Sequence, residues 1–142
     1  MPYLLDTNHC SYLMNGLDKL SHRRKPEEVK TIGRFQVTKD TVYMAEVSLG
    51  ELVAGAELSP HTSKIYTRIS NFRGCVVPAP IDEICWELYG KTKAALRKNG
   101  KVITDMDLLI ACAASRYGSI LVSNDAAFAH LPSGFHVENW AV

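Results

Sequence analysis

The stretch Asp107-Leu-Leu-Ile-Ala-Cys-Ala-Ala-Ser-Arg-Tyr-Gly-Ser-Ile-Leu-Val-Ser-Asn-Asp125 decides the fold class. Residues 108–114 are apolar on nearly every side of a helix, as required of a helix that lies on a sheet and is covered on both flanks. Gly118 ends that helix, and Ser119-Ile-Leu-Val-Ser123 is the most strand-like run in the chain, stopping at Asn124-Asp125. A buried helix feeding a short apolar strand predicts a parallel sheet with both faces covered.

The same alternation extends in both directions. Pro2-Tyr-Leu-Leu5 is a short apolar run that stops at Asp6, with Thr7-Asn8 as turn or cap chemistry before a helix. Residues 16–40 are polar and basic, and Pro26-Glu27-Glu28 resembles the first turn of a helix running to about Phe35. Thr41-Val-Tyr-Met-Ala45 has strand character, and Ser48-Leu-Gly-Glu51 matches a capping box ahead of Leu52-Val-Ala54. Ile65, Ile69 and Phe72 recur at helical spacing, Gly74 sits where a C-cap glycine belongs, and Cys75-Val-Val77 predicts a third strand. Ile81, Ile84, Cys85, Leu88 and Tyr89 mark an amphipathic helix that reaches about Lys98 and carries a basic outer face. A short helix and a last strand at 135–137 close the chain. Strands alternating with helices, joined by right-handed crossovers, give an α/β fold with a central parallel sheet and one domain over residues 1–142.

Composition excludes several classes. A chain of 142 residues, 46% hydrophobic and 22% charged, is that of a folded globular protein. No apolar run is long enough to span a bilayer, and Asp6 interrupts what would be a signal-peptide core, so the cytoplasm is the expected location and no membrane partner is expected. Cys10, Cys75, Cys85 and Cys112 form no C-x-x-C pair and lie near no histidine at zinc-ligand spacing, which predicts free thiols. Sixteen basic against 15 acidic residues leave a net charge of +1, so gross charge announces no nucleic-acid partner.

Four acids stand out by position. In open parallel sheets ligands bind beyond the carboxyl ends of the strands, and Asp6 and Asp125 each follow a strand end. Glu51 and Asp107 fall in the first turns of the helices that follow strands, which open onto the same edge. Clustered carboxylates repel one another unless a cation neutralises them, which suggests Mg2+ or Mn2+ and, with it, phosphodiester hydrolysis. Each acid also has a plainer explanation. Glu51 and Asp107 both suit a capping box, with Ser48 and Thr104 as the caps, and Asp6 and Asp125 suit ordinary strand-ending turns. Spacing alone leaves these alternatives open; the conjunction of all four carries the weight.

Taken in order, Leu4-Leu-Asp-Thr-Asn8, Ser48-x-x-Glu-Leu-x-x-Gly-Ala56, Asp107-x-Leu-Ile-Ala111 and Ser123-Asn-Asp-x-x-Phe128 resemble the successive motifs of PIN-domain proteins, and closely the VapC toxin branch. Val137-Glu-Asn-Trp140 is similar to the family's ending. The resemblance implies a three-layer α/β/α sandwich, dependence on Mg2+ or Mn2+, and endonucleolytic cleavage of RNA by the toxin of a type II toxin–antitoxin pair. It also implies a VapB-like antitoxin as partner and a homodimer. Carried over residue by residue, it places Asp6, Glu51, Asp107 and Asp125 as the catalytic and metal-ligating acids, with Thr7 and Asn124 as groups supporting them. Asp105 competes for the third position, but Asp107 directly precedes the Leu-Leu-Ile-Ala run, which leaves Asp105 as a cap or outer ligand. The segment from Asp18 to Asp40 departs from the usual pattern.

Other residues are less distinctive. Arg23, Arg24 and Lys25 form one basic cluster, Lys64 and Arg68 lie a helical turn apart, and Lys91, Lys93, Arg97, Lys98 and Lys101 line another surface. Each is read as a solvated face. His9 stands beside the acids but is read as structural, because water activated by a metal needs no histidine base. A phosphatase of the haloacid-dehalogenase type needs a second aspartate two residues after the first, where this chain has Asn8. A PIN-fold DNA nuclease, and a catalytically silent binding module of the same fold, are the remaining alternatives. The complete set of four acids argues against the silent module.

Overall fold

Hydrophobic patterning resolves into five short strands and six helices in the computed structural model, which describes residues 1–18 and 23–142. In chain order these are β1 (Tyr3–Leu5), α1 (Thr7–Leu17), α2 (Pro26–Val37), β2 (Val42–Ala45), α3 (Glu46–Leu58), α4 (Thr62–Arg73), β3 (Val77–Ala79), α5 (Glu83–Lys98), α6 (Asp105–Arg116), β4 (Ile120–Val122) and β5 (Val137–Glu138). A 3-10 turn over Ala126–His130 lies between β4 and β5. Residues 19–22, inside the polar and basic stretch expected over 16–40, lie outside the described residues.

All strand pairs are parallel and the sheet order is β3-β2-β1-β4-β5. The central strand is β1, where Tyr3 pairs with Val42 on one side and Ile120 on the other. Side chains alternate across the pleat, so each strand feeds two cores. Leu4, Ala45 and Leu121 pack with Leu96, Leu108 and Ile110 of α5 and α6. Leu5, Met44 and Val122 pack with Leu13, Ile32, Leu52, Ile69 and Phe72 of α1 to α4. The result is the expected three-layer α/β/α sandwich. Helix α6 is buried from Leu108 to Ala114 because it contacts the sheet on one side and α5 on the other. Gly118, at φ 61°, makes the reversal from α6 into β4 in a backbone region closed to most side chains.

Several boundaries differ from expectation. The third strand is Val77-Pro78-Ala79, not Cys75-Val-Val77. Cys75 is taken up in the turn that closes α4, its N–H donating to the Phe72 carbonyl. Proline is tolerated in β3 because β3 is an edge strand. Gly74 is the C-cap of α4 but has right-handed backbone angles, φ −71° and ψ −14°, so its conformational freedom is unused. The last strand starts at Val137. The Ser48–Glu51 capping box is not formed: α3 begins at Glu46 with Ala45 as its N-cap, which puts Ser48 inside the helix, fully buried.

Arg68 does not belong to a solvated face. Its Nε donates to Asp18 Oδ2 at 2.6 Å and its Nη1 to Asn15 Oδ1 at 3.2 Å, fastening α4 to the end of α1. Hydrogen bonds to charged groups contribute about 1.5 to 3 kcal/mol, so Arg68→Met is expected to lower the unfolding free energy by about 2 kcal/mol in a urea titration. An unchanged midpoint would reduce the link to a surface contact.

Candidate active site

The carboxyl ends of β1, β2 and β4 bring the four acids to one edge of the sheet. Asp6 follows β1 directly and caps α1. Its N–H donates to the Val122 carbonyl at 3.0 Å, which ties the end of β1 to β4. The residue is 4% exposed, and its Oδ1 accepts from the His9 backbone N–H at 2.8 Å and contacts the His9 ring Nδ1 at 2.9 Å. Both contacts fall on Oδ1, and among the described residues none is made by Oδ2.

Thr7, the first residue of α1, reaches across to α3. Its hydroxyl donates to Glu51 Oε1 at 2.5 Å and lies 3.1 Å from Ser48 Oγ. The i, i+3 spacing of Ser48 and Glu51 therefore presents both groups to one threonine instead of capping a helix. On α6, Thr104 is the N-cap: its Oγ1 accepts from the Asp107 N–H at 3.4 Å and donates to Asp107 Oδ2 at 2.9 Å. The capping pattern expected at Thr104-x-x-Asp107 is thus present, but the hydroxyl also orients the carboxylate. Asp125 caps the 3-10 turn, accepting from the Ala127 N–H at 2.9 Å. Asn124 donates to the Tyr12 hydroxyl at 3.3 Å and so holds the loop after β4 against α1.

Electrostatics show that the acids feel one another. The Asp107 carboxyl is pushed above its ordinary range by desolvation, and then by the negative charges of Asp125, Glu51 and Asp6, against a lowering hydrogen bond from Thr104. Burial first, then Asp6 and Glu51, push the Cys10 thiol well up, so it stays protonated beneath the site. Asp105 is not part of this group. Its Oδ1 accepts from Lys93 Nζ at 2.6 Å and from the Tyr89 hydroxyl at 2.7 Å, both on α5. The bonds from Lys93 and Tyr89 hold its carboxyl below the usual range. The cap at α6 is Thr104, so Asp105 serves neither as that cap nor as an outer partner of the other acids.

The donor set is all oxygen, the chemistry that Mg2+ and Mn2+ prefer. Desolvation first, and then the charges of Asp125, Glu51 and Asp6, raise Asp107, and a cation would relieve the repulsive part. Among the described residues no three His, Cys, Asp or Glu side chains form a closed chelating group as they stand. Glu51 leans on Thr7, Asp107 on Thr104 and Asp125 on its own turn, as uncompensated carboxylates should. The residues fit the ion in kind and charge.

Linkage gives a test of the repulsion. A carboxyl whose pKa is raised on folding binds its proton more tightly in the native state, so it costs stability as pH climbs from the ordinary carboxylate value through the raised one. In EDTA at neutral pH, Asp107→Asn is expected to melt above the parent, and the gap should close below about pH 4. A gap independent of pH would detach the effect from ionisation.

A family model described as "PIN domain" matches residues 3–133. The chain belongs to the PIN-domain family. This PIN domain is 29% identical to "Ribonuclease VapC2" of Haemophilus influenzae, over 99% of this chain and 98% of the relative. It is 26% identical to "tRNA(fMet)-specific endonuclease VapC" of Shigella flexneri, over 99% of both. Among solved structures it is similar to VapBC2 from Rickettsia felis bound to a DNA fragment from their promoter, at 25% identity, TM-score 0.84 and 99% coverage of each chain.

Two supporting contacts of the PIN domain escaped the sequence reading. His9 on Asp6 was legible only as an i, i+3 pair at a helix start, and Tyr12 on Asn124 joins residues 112 positions apart. No helix among the described residues is long and apolar enough to cross a membrane.

Proposed function

We propose that this chain is a divalent-metal-dependent endoribonuclease, the toxin of a toxin–antitoxin pair, restrained by a VapB-like antitoxin. The observation that carries this reading is the gathering of Asp6, Glu51, Asp107 and Asp125 beyond the carboxyl ends of the strands, near enough that the other three charges add to the desolvation of Asp107. Full-length similarity to proteins named as VapC ribonucleases supports RNA as the substrate, and similarity to VapBC complexes supports the antitoxin. A cytoplasmic homodimer is the expected working form.

Asp6, Glu51, Asp107 and Asp125 would hold Mg2+ or Mn2+, which when bound supplies activation of water and neutralises charge at the scissile phosphate. The chain's own contribution is orientation. His9 fixes Asp6, Thr7 fixes Glu51, and Thr104 fixes Asp107, so three of the four carboxylates are oriented by neighbouring side chains.

The test is digestion of total bacterial RNA by the purified chain in Mg2+, in Mn2+ and in EDTA, with initiator tRNA and a single-stranded DNA of matching sequence as further substrates. Cleavage of RNA that EDTA abolishes is the expected result. Cleavage of DNA alone would make the protein a DNA nuclease, and cleavage of neither, with the antitoxin removed, would make it a binding module.

A further inference from the structure

Next to the acids, but outside them, lies a groove of about 310 Å³ lined by Lys93, Arg97, Lys101, Ile103, Thr104 and Asp105. Lys93 and Arg97 stand one turn apart on α5 and Lys101 follows the turn at Gly100, so three cations from the end of the helix and the segment after it line one groove. The groove ends at Thr104, the residue whose hydroxyl orients Asp107. A ligand lying in the groove therefore arrives at the catalytic acids. Arg97 and Lys101 are exposed. Lys93 is held by Asp105 at 2.6 Å, which places one carboxylate in the bed of an otherwise cationic channel.

A string of cations that leads into an anionic, metal-seeking centre complements a polyanion whose one phosphate must be delivered to that centre. Cations distributed along the approach bind phosphates that are not cleaved, and the acids keep the metal for the one that is. Resting on the ribonuclease reading, we propose that this groove is the track for the phosphodiester backbone of single-stranded RNA beside the scissile bond, with Asp105 acting as a brake on its affinity through Lys93. Lys91 and Lys98, on the same helix, do not line the groove.

The experiment measures binding apart from cleavage. In an Asp6→Asn background, anisotropy of a short fluorescein-labelled oligouridylate is recorded between about 0.05 and 0.2 M salt. Single-stranded binding loses about 0.7 in the slope of log K against log salt per phosphate contact removed, so Lys93→Gln/Arg97→Gln/Lys101→Gln is expected to flatten the slope by about 2 and weaken binding about tenfold. Lys91→Gln/Lys98→Gln, which also removes positive charge from α5, should leave the slope within about 0.5 of the parent. Asp105→Asn frees Lys93 and should tighten binding about two- to fivefold. Circular dichroism confirms that each variant is folded, and Asp105→Asn, with its opposite sign, cannot mimic a folding defect. Equal slopes for the groove and control variants would overturn the proposal. So would weaker binding by Asp105→Asn. Groove-dependent binding by a parent that cleaves no RNA would remove the nuclease reading and leave the track standing, whereas cleavage with groove-independent binding would do the reverse.

Discussion

Asp6→Asn is expected to yield a folded protein whose RNA cleavage has fallen at least about a hundredfold, since even partners one shell away from a metal cost ten- to a hundredfold when lost. Asparagine is nearly the shape of aspartate and caps helices as well, so its Oδ1 still accepts from the His9 N–H and α1 keeps its start. What disappears is the charge. Asp6 is 4% exposed, so the carboxylate is screened by little water and its loss is felt strongly by a cation at the site. The same change removes one of the three anions that raise Asp107. Thermal melting in EDTA should therefore be unchanged or slightly improved, while the Mg2+-induced rise in melting temperature shrinks. In bacteria lacking the antitoxin, induction of the parent should arrest growth and induction of Asp6→Asn should not. A folded Asp6→Asn variant that cuts RNA at the parent's rate would remove this residue from the centre.

Glu51→Gln is expected to lose activity on a similar scale, and here the structure has simplified the test. A capping role at Glu51 would have competed with catalysis as an explanation, but α3 starts at Glu46 and Glu51 stands well inside it. The side chain's bond is to the Thr7 hydroxyl at 2.5 Å, which glutamine can still accept through its amide oxygen. Fold and contact are thus preserved and the charge alone is removed. Stability without metal should hold to within about 1 kcal/mol, and cleavage should drop about a hundredfold or more. Ser48→Ala serves as a probe of another kind. Ser48 is fully buried beside Thr7, so its removal costs about 1 kcal/mol in packing and hydrogen bonding, not through a lost cap. An active, folded Glu51→Gln enzyme would reduce the centre to three acids.

The layers were legible because apolar periodicity is dense where elements are buried. The run from Leu108 to Ala114 and the strand residues Leu121 and Val122 are buried, so composition alone marked them. Legibility failed at edges. At Cys75 the chain reads as strand but the turn closing α4 takes it, and Pro78, which argues against a strand, sits in one because β3 has a free edge. The four acids were found by their place after strands and at helix starts. Thr7 and Asn124 stood out as supports, but their partners did not, because Thr7 meeting Glu51 and Lys93 meeting Asp105 are contacts between elements, set by how helices lie on the sheet. Asp105 and Asp107 are alike in sequence context. A two-residue step on α6 turns one toward α5 and leaves the other among the acids.

The position of β1 at the centre of the sheet has a consequence for synthesis. Tyr3 to Leu5 are made more than a hundred residues before Ile120 to Val122, yet β1 completes its pairing only with them, and Asp6 is pinned by the Val122 carbonyl. Asp125 follows still later. A growing polypeptide therefore cannot assemble the acid cluster until β4 and Asp125 have left the ribosome, and products of termination before β4 carry three acids but neither the fourth nor the strand that completes the pairing of β1. Chains ending before β4 should cleave no RNA, and any activity would appear all at once, when β4 slots in beside β1.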